Sequence, residues 1–514
     1  MFENNSTTAA PETAGHALHH SPVVREAIET IVSEVAKASS TVTSVRGPVS
    51  QEAAQSFEAF MERAASVRGR PLLYPYIGSG VGNGPYVELL DGSVKLDLIT
   101  GIGVHFFGHS DPELIRASVE GATGDTVMQG HLMMNEDAIR FGSVLIEEAR
   151  KSSDLQHAFL CGSGAMANEN GLKVCYQKNA PASRVIAFKD CFMGRSTTMA
   201  QIGDNAAGRV GIPLSTLVDY MPFYDTIAAR RMSGGDVSGD TRYIDMAVWH
   251  LEQYIERYPG QHACFVFELV QGEGGFNGAP PEFHRELMEV CKANNIAVWS
   301  DEVQTFGRTS RPYAFDHYGL GEYVDVCCVG KMTQVCATLY TDEYNPKPGL
   351  LSGTFLGSSA GLRAGRSILE RLTSGDYYGE DGRIMRHHAR FREHVHALAQ
   401  KHPEWFPPVH GVPEHAGGVG AMMRFTPFGG DKDALLKLCK QLFLDGVIAF
   451  YCGHGPYHVR FLPPLGVMDE STWSEVFEIV EKSMGEVART LPIHEHRELR
   501  PMHRPNAVSA HDEG

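Results

Sequence analysis

The sequence predicts an α/β protein whose main unit is a largely parallel sheet covered by helices on both faces, followed by a smaller α+β unit. Two observations support this prediction. From about residue 150 short apolar runs alternate with helical segments, which is the pattern of a parallel sheet. After residue 355 longer helices separated by short apolar runs indicate a separate α+β unit. With 514 residues and 43% hydrophobic content, the chain can form more than one core.

Five segments are expected along the chain: an N-terminal tail and helix (1–50), a segment joining the small domain (51–100), a large domain that contains the main sheet (101–355), a small domain (356–495) and a C-terminal tail (496–514). Residues 1 to about 20 and the polar end of the chain lack periodicity and should be irregular. SPVVREAIETIVSEVAKA, from Ser21, has helical apolar spacing behind a Ser-Pro start. We expect a helix there that packs on the body of the protein or on a partner.

Five apolar runs are the predicted strands of the large sheet, namely HAFLC, RVIAF, HACFVFE, IAVWS and DVCCV. Polar or glycine-rich residues follow each run. Because ligands bind outside the carboxyl ends of parallel strands, these residues should surround a ligand crevice. In the smaller unit, GSSAGLRAGRSILERL and DKDALLKLCKQLFLDG predict helices, and VGAMMRF and YHVRFLP predict short strands.

The overall charge argues against nucleic acid as a partner. The chain has 45 basic and 62 acidic residues, a net charge of −17, and no basic cluster. No apolar stretch approaches the length of a membrane span, and the N-terminus lacks the pattern of a signal peptide. The ten cysteines include no CxxC pair and suit reduced, buried thiols. These features predict a soluble cytoplasmic protein without a membrane partner, and no metal site is predicted.

Two charged residues emerge from buried strands of the predicted sheet. Asp301 ends the run IAVWS, and a buried carboxylate requires a cationic partner. Lys331 follows Gly330 after the run DVCCV, where burial would lower its pKa towards that of a nucleophilic amine. Taken alone, either residue could equally be one half of a structural ion pair.

Six linked motifs resemble those of the class III aminotransferases. They are GSGAMANENGLK, FMGR, ELVQGEGGFNGAPPEF, DEVQTFGRTSRPYAFDHYG, the VGK lysine and SGTFLGSSAG, within a match from about Pro85 to Val487. The resemblance implies fold type I, in which the cofactor is pyridoxal 5'-phosphate. It identifies Lys331 with the lysine that forms the Schiff base with the cofactor and later moves the proton. Asp301 matches the aspartate that keeps the pyridine nitrogen protonated.

The resemblance also implies further cofactor contacts. Gln304 matches the residue that hydrogen-bonds the phenolic oxygen, and Val303 the side chain beneath the ring. The backbone amides of Ser163, Gly164 and Ala165 can meet the phosphate at the start of a helix. Without the resemblance, Gln304 could be a surface amide, Val303 a core valine and the Gly-Ser-Gly segment only a tight turn.

Phe192 resembles the aromatic residue that stacks on the cofactor, although alone it could be a core residue. Met193 follows it where histidine is usual in the family. Thr354 matches a threonine that reaches the partner's phosphate across a dimer interface. The resemblance therefore implies a homodimer with shared active sites.

Three charged residues are implied in substrate binding. Arg195 resembles an arginine that binds a substrate carboxylate, and Arg460 one that binds the far carboxylate of glutamate or 2-oxoglutarate. Glu273 resembles the carboxylate that covers Arg460, so the pair would act as a switch between an amine-bearing chain and a dicarboxylic partner. The alternative for Glu273 and Arg460 is a surface ion pair without this role.

Departures from the family pattern bear on the substrate. Ala165 and Met166 replace a threonine and a glutamate, TFGR lacks one glycine, and MTQVCATLY replaces a glycine-rich stretch. The T-Q-V-C portion resembles lysine 6-aminotransferases, whereas other segments suit acetylornithine or 4-aminobutyrate aminotransferases. We expect transfer of the terminal amino group of an ω-amino acid or N-acyl diamino acid to 2-oxoglutarate. Alternatives are an aminomutase or decarboxylase of the same fold, an NAD-dependent dehydrogenase, and an inactive binding relative.

Overall fold

The structure of the protein is a computed structural model that describes residues 13–124 and 130–491. The predicted tail 496–514 and the first twelve residues of the N-terminal tail lie outside the described residues. Irregular chain is predicted up to about residue 20, but residues 14–20 form a short helix. This helix is stabilised at its start because the Thr13 hydroxyl accepts a hydrogen bond from the His16 amide at 3.2 Å.

The strands are numbered in chain order. They are β1 (Gly78–Asn83), β2 (Tyr86–Leu89), β3 (Val94–Asp97), β4 (Leu155–Cys161), β5 (Arg184–Phe188), β6 (Leu217–Met221), β7 (His262–Phe267), β8 (Ala297–Glu302), β9 (Val326–Val329), β10 (Cys336–Thr341), β11 (Ala416–Val419), β12 (Met422–Phe425), β13 (Val447–Ile448), β14 (Phe450–Cys452) and β15 (His458–Phe461).

The α-helices are numbered in the same way. They are α1 (Ala14–His20), α2 (Pro22–Ser39), α3 (Gln51–Arg68), α4 (Thr100–Gly103), α5 (Pro112–Thr123), α6 (Glu136–Ala149), α7 (Gly164–Lys178), α8 (Thr197–Ile202), α9 (Thr226–Ser233), α10 (Arg242–Arg257), α11 (Pro281–Ala293), α12 (Ala314–His317), α13 (Ser359–Ser374), α14 (Arg383–Lys401), α15 (Lys432–Asp445) and α16 (Thr472–Ala488). The helix predicted from Ser21 is α2, and it lies against α5 through the ion pair of Arg116 with Glu29.

The large sheet has seven strands in the order β4-β10-β9-β8-β7-β5-β6. Every neighbouring pair is parallel except the two that involve β10. Strands β7, β8 and β9 are buried on both faces. Val298 packs on one face of the sheet, in a core that includes α6 and α11. Trp299 packs on the other face, in a core that includes α7. The predicted α/β fold class is therefore confirmed.

All five predicted strand runs of the large sheet are strands, but β6 and β10 were not predicted. Strand β10 follows β9 after only a short 3-10 turn at Lys331–Thr333 and runs antiparallel between β9 and β4. It therefore has no crossover helix before it, and the alternation of strand and helix that revealed the other strands is absent there.

Two smaller four-stranded sheets complete the part of the chain that the structure describes. Strands β11, β12, β15 and β14 form an antiparallel sheet that contains both predicted runs, VGAMMRF and YHVRFLP. The other sheet has the order β1-β2-β3-β13, in which Val447 pairs with Leu96 in parallel. The N-terminal segment thus shares a sheet with a strand from near the C-terminus. The domain boundaries given above stay a prediction.

All ten cysteines are buried and unpaired, as the sequence predicts. Among residues 13–124 and 130–491, no helix is both long enough and apolar enough to cross a bilayer.

Candidate active site

A cavity of about 540 Å³ opens at the carboxyl ends of the parallel strands. Its walls come from the segments that directly follow β4, β5, β7, β8 and β9, so residues far apart in the sequence meet there. This is the edge of the sheet at which the sequence predicts a ligand crevice. The volume is that of a typical site for a small molecule or cofactor.

Lys331 lies in this cavity directly after β9. Its backbone has φ +52°, a left-handed conformation that costs about 1–3 kcal/mol for a residue other than glycine. Burial lowers the pKa of the Lys331 ammonium, and the negative charges of Glu273 and Asp301 only partly oppose that shift. The Lys331 ammonium therefore releases its proton more readily than the ammonium of a surface lysine does.

Asp301 lies in the same cavity and is 5% exposed. Burial raises the pKa of its carboxyl group, while two hydrogen bonds oppose that shift. One comes from the amide of Val303 at 3.0 Å and the other from the Asn168 side chain at 2.8 Å. The Asn168 amide group also donates to the carbonyl oxygen of Met193 at 2.8 Å. Asn168 thus fixes Asp301 relative to the segment that follows β5.

The turn between β4 and α7 forms another wall. Ser163 begins the helix, and its hydroxyl oxygen accepts a hydrogen bond from the Met166 amide at 3.2 Å. Gly164 and Ala165 line the cavity, whereas Ser163 does not. A Cβ atom on Gly164 would lie 2.6 Å from a methyl carbon of Val303, so only glycine allows this close approach.

The segment after β5 contributes Phe192, Met193 and Arg195. Met193 is buried, and the guanidinium carbon of the exposed Arg195 lies 5.2 Å from the centre of the Phe192 ring. The Phe192 amide donates to the carboxylate of Glu268 at 2.9 Å, which ties this segment to the end of β7. An arginine at the mouth of the cavity can bind an incoming carboxylate.

Val303 and Gln304 follow β8 and also line the cavity. Gln304 is 8% exposed, and its amide oxygen has no hydrogen-bond partner among the described residues. An unsatisfied buried acceptor of this kind costs about 1–3 kcal/mol, so a ligand with a donor would stabilise it.

Glu273 and Arg460 form an ion pair with 2.7 Å between Oε1 and Nη1. Glu273 lines the cavity, and Arg460 lies behind it with a fully buried side chain. Burial would raise the pKa of Glu273, but the charge and hydrogen bond of Arg460 outweigh it and hold the pKa below its ordinary value. The pair is not a surface ion pair, because Arg460 is 0% exposed.

Thr354 is not brought to this cavity. Its side chain is exposed and does not line the walls formed by the described residues of one chain. Three predicted residues lie outside the cavity lining, namely Ser163, Thr354 and Arg460. Arg460 contacts the lining through its hydrogen bond to Glu273.

The structure adds residues that the sequence reasoning missed, above all Glu268 and Asn168. Glu268 is the residue after β7, and its carboxylate accepts from the amides of Phe192 and Gly272 at 2.9 and 3.1 Å. Burial and then the charge of Asp301 raise the pKa of Glu268 to about 8. The position of Glu268 at a strand end was the available signal. The cavity is also lined by His105, Gln334 and Cys336, none of which directly follows a predicted strand.

These residues fit the cofactor that the sequence implies. A buried amine and a buried carboxylate that has no salt bridge within the described ranges face one cavity, and Gln304 offers an acceptor without a hydrogen-bond partner beside them. Gly164 and Ala165 line the cavity at the start of α7, where backbone amides can bind a phosphate group. The site has the donors and acceptors that pyridoxal phosphate needs.

Known proteins that are similar to this chain are aminotransferases. The family model for aminotransferase class III matches residues 75–484. A diaminobutyrate–2-oxoglutarate transaminase of Oceanobacillus iheyensis is 25% identical over 77% of this chain and 88% of its own. A 4-aminobutyrate aminotransferase of Mycobacterium leprae is 26% identical over 87% of this chain and 98% of its own.

Solved structures share the fold. The lysine aminotransferase from M. tuberculosis superimposes with a TM-score of 0.69 at 22% identity, covering 83% of this chain and 99% of that one. The ornithine aminotransferase from Toxoplasma gondii superimposes with a TM-score of 0.69 at 21% identity, covering 85% of this chain and 96% of that one. Because the family model covers most of the sequence, the dehydrogenase alternative is wrong, and the chain belongs to the class III aminotransferases, a family of pyridoxal-phosphate-dependent enzymes.

Proposed function

We propose that the protein transfers the terminal amino group of an ω-amino acid or an N-acyl diamino acid to 2-oxoglutarate. The observation that supports this most is the buried ion pair of Glu273 with Arg460, which borders the cavity of Lys331 and Asp301. A transaminase must bind two substrates of different charge in turn at one site. An arginine that can be either covered or released meets that requirement.

The proposed cofactor contacts divide among several segments. Lys331 would bind the cofactor covalently, and Asp301 would pair with its pyridine nitrogen. The other contacts would come from the remaining residues of the cavity and its edge, namely Ser163, Gly164, Ala165, Phe192, Met193, Val303 and Gln304. When bound, pyridoxal phosphate supplies an electron sink for the carbanion formed at the substrate carbon.

Lys331 would also move the proton. A general base works best when its pKa is close to the working pH, and burial lowers the pKa of Lys331 in that direction. Once released from the cofactor, its amine could accept a proton from the substrate carbon and return it to the cofactor. Asp301, held by Asn168 and Val303, would keep its orientation throughout.

The charged residues would select the two substrates. With Glu273 on Arg460 the inner pocket is close to neutral, which suits the amine-bearing chain of the donor. When 2-oxoglutarate enters, its far carboxylate would replace Glu273 on Arg460, and Arg195 would bind the other carboxylate. The relatives support this class of donor, since their names specify diaminobutyrate, acetylornithine and 4-aminobutyrate.

The half-reactions test this proposal. Purified holoenzyme is mixed in turn with N-acetylornithine, 4-aminobutyrate, lysine and 2,4-diaminobutyrate, and the visible absorbance of the bound cofactor is followed. We expect at least one donor to bleach the absorbance and 2-oxoglutarate to restore it. Bleaching by none of them would contradict the ω-amine proposal. Product formation without 2-oxoglutarate would favour the aminomutase or decarboxylase alternative instead.

A homodimer is part of the proposal, because Thr354 lies outside the cavity of its own chain and could serve the site of a partner. Subunit mixing tests this. Lys331→Ala and Thr354→Ala chains are each expected to be impaired, but a mixed dimer would contain one site with both residues intact. We expect activity to recover on mixing. No recovery in dimers shown to exchange subunits would contradict the role of Thr354. A cytoplasmic location likewise stays a prediction.

A further inference from the structure

A second cavity, of about 450 Å³, lies on the other side of the segment that carries Glu273. Residues 270–278 separate the two cavities: Gly272 and Glu273 line the first, whereas Gln271, Phe276 and Asn277 line the second. Residues of β11 and β12 of the small antiparallel sheet also line the second cavity. No step of the proposed reaction uses it.

Arg424, on β12, lines this second cavity and is only 7% exposed. Its Nη1 lies 3.4 Å from the Thr426 hydroxyl oxygen, at the outer limit of a hydrogen bond, and its Nε has no partner. Arg424 forms no ion pair with any residue in the described ranges. Asp190 and Asp225 also line the cavity. A guanidinium buried in this way is strongly destabilising unless an anion accompanies it.

The strand register places a second arginine beside it. Arg424 pairs directly with Arg460 across β12 and β15, so both side chains project from the same face of the sheet. Like charges in directly opposite positions repel each other. Glu273 neutralises the charge of Arg460, whereas no carboxylate of the described residues forms an ion pair with Arg424. Burial also lowers the pKa of the Arg424 guanidinium.

Arg424 lies beside Gly417 on the neighbouring strand and lines the second cavity. A Cβ atom on Gly417 would lie 2.8 Å from the guanidinium carbon of Arg424. Only glycine, which has no side chain, therefore allows the guanidinium to lie this close to the backbone at position 417. Phe223, Tyr224 and Phe276 supply aromatic surface to the same cavity, and the exposed Lys189 a second positive charge. Aromatic walls with a few charged groups are typical of sites for small organic ligands.

We propose that this Arg424 cavity is a binding site for a small organic anion, whose carboxylate or phosphate group pairs with the guanidinium of Arg424 while its apolar part lies against the aromatic side chains. A planar guanidinium binds either oxyanion through two parallel hydrogen bonds. The site is separate from the catalytic cavity, and residues 270–278 form the wall between the two.

Calorimetric titration of the holoenzyme with benzoate, phenyl phosphate and inorganic phosphate tests the proposal. The first two probes share an apolar ring and differ in the anionic group, so they distinguish a carboxylate ligand from a phosphate ligand. We expect at least one of them to bind wild-type protein, and Arg424→Met to weaken that binding about tenfold or more. Arg195→Met, which alters the catalytic cavity, and Arg390→Met, at an exposed arginine, should leave the affinity unchanged.

The protein's stability supplies a second measurement. Without a probe, Arg424→Met should melt at a higher temperature than wild type, because a buried unpaired charge is removed. Arg424→Lys, which keeps the charge but loses the planar fork, should fold and bind the probes more weakly. Absence of binding to wild type, equal affinity in Arg424→Met and wild type, or loss of binding in Arg195→Met would each overturn the proposal.

Discussion

Removing the carboxylate of Glu273 should shift the enzyme's preference between its two substrates. In the structure, Glu273 forms a charged hydrogen bond of 2.7 Å with Arg460. The Arg460 side chain is fully buried, and the Glu273 side chain is 27% exposed. Under the proposed function, the dicarboxylic acceptor would have to break this contact before it could bind Arg460. The contact therefore opposes acceptor binding and favours the amine donor, and Glu273→Ala removes both effects.

The magnitude follows from the contact that is lost. A hydrogen bond between charged groups contributes about 1.5–3 kcal/mol, which corresponds to roughly 10- to 150-fold in affinity. Because about a quarter of the Glu273 side chain is exposed, solvent screening favours the lower end of that range. We expect the acceptor to bind about tenfold more tightly in Glu273→Ala. The kcat/KM of the donor should fall by a similar factor, since an uncovered Arg460 repels its ammonium group.

Single-turnover measurements separate the two half-reactions. Each is started with one substrate and followed by the absorbance of the bound cofactor, which gives the affinity and rate for donor and acceptor independently. Glu273→Gln, which keeps an oxygen acceptor without the charge, should give an intermediate shift. Glu286→Ala, at an exposed glutamate on α11, is the matched control. If Glu273→Ala lowers donor and acceptor kcat/KM by the same factor, the reasoning about the switch is refuted.

Three further predictions concern buried charges. Lys331→Ala should reduce transamination by about 10²–10⁴-fold or more and abolish the borohydride-fixed cofactor adduct seen by mass spectrometry, while Lys151→Ala, at an exposed lysine, retains both. Asp301→Asn should lower the pKa of the cofactor's ring nitrogen by about 1–3 units, read from the pH dependence of cofactor absorbance, with a matching fall in kcat; an unchanged absorbance profile would contradict the pairing. Glu302→Gln should flatten the pH dependence of stability. Burial raises the pKa of Glu302 from 4.5 to about 7, so its contribution is present below pH 4.5 and is lost as the pH rises towards 7. Melting temperatures at pH 5 and pH 7.5 should therefore differ less in Glu302→Gln than in wild type, and an unchanged difference would mean that Glu302 is ionised in the folded protein throughout.

Much of the site could be predicted because its residues share one local rule. Lys331, Asp301, Gln304 and Phe192 each follow a run of buried apolar residues, and parallel strands end at the same edge of a sheet. The same rule applied to HACFVFE would have added Glu268. Thr354 obeys no such rule, and a single chain gives its side chain no place in the cavity.

The sequence by itself determined the α/β class, five strands of the large sheet and the residues at their ends, because periodicity and the order of apolar runs are local properties. Only the tertiary structure decided that β10 lies antiparallel between β9 and β4, and that β3 pairs with β13 some 350 residues later. It also decided that Arg460 is fully buried and lies beside Arg424. Strand register and the burial of a charge depend on contacts between distant segments, and neither leaves a periodic trace in the sequence.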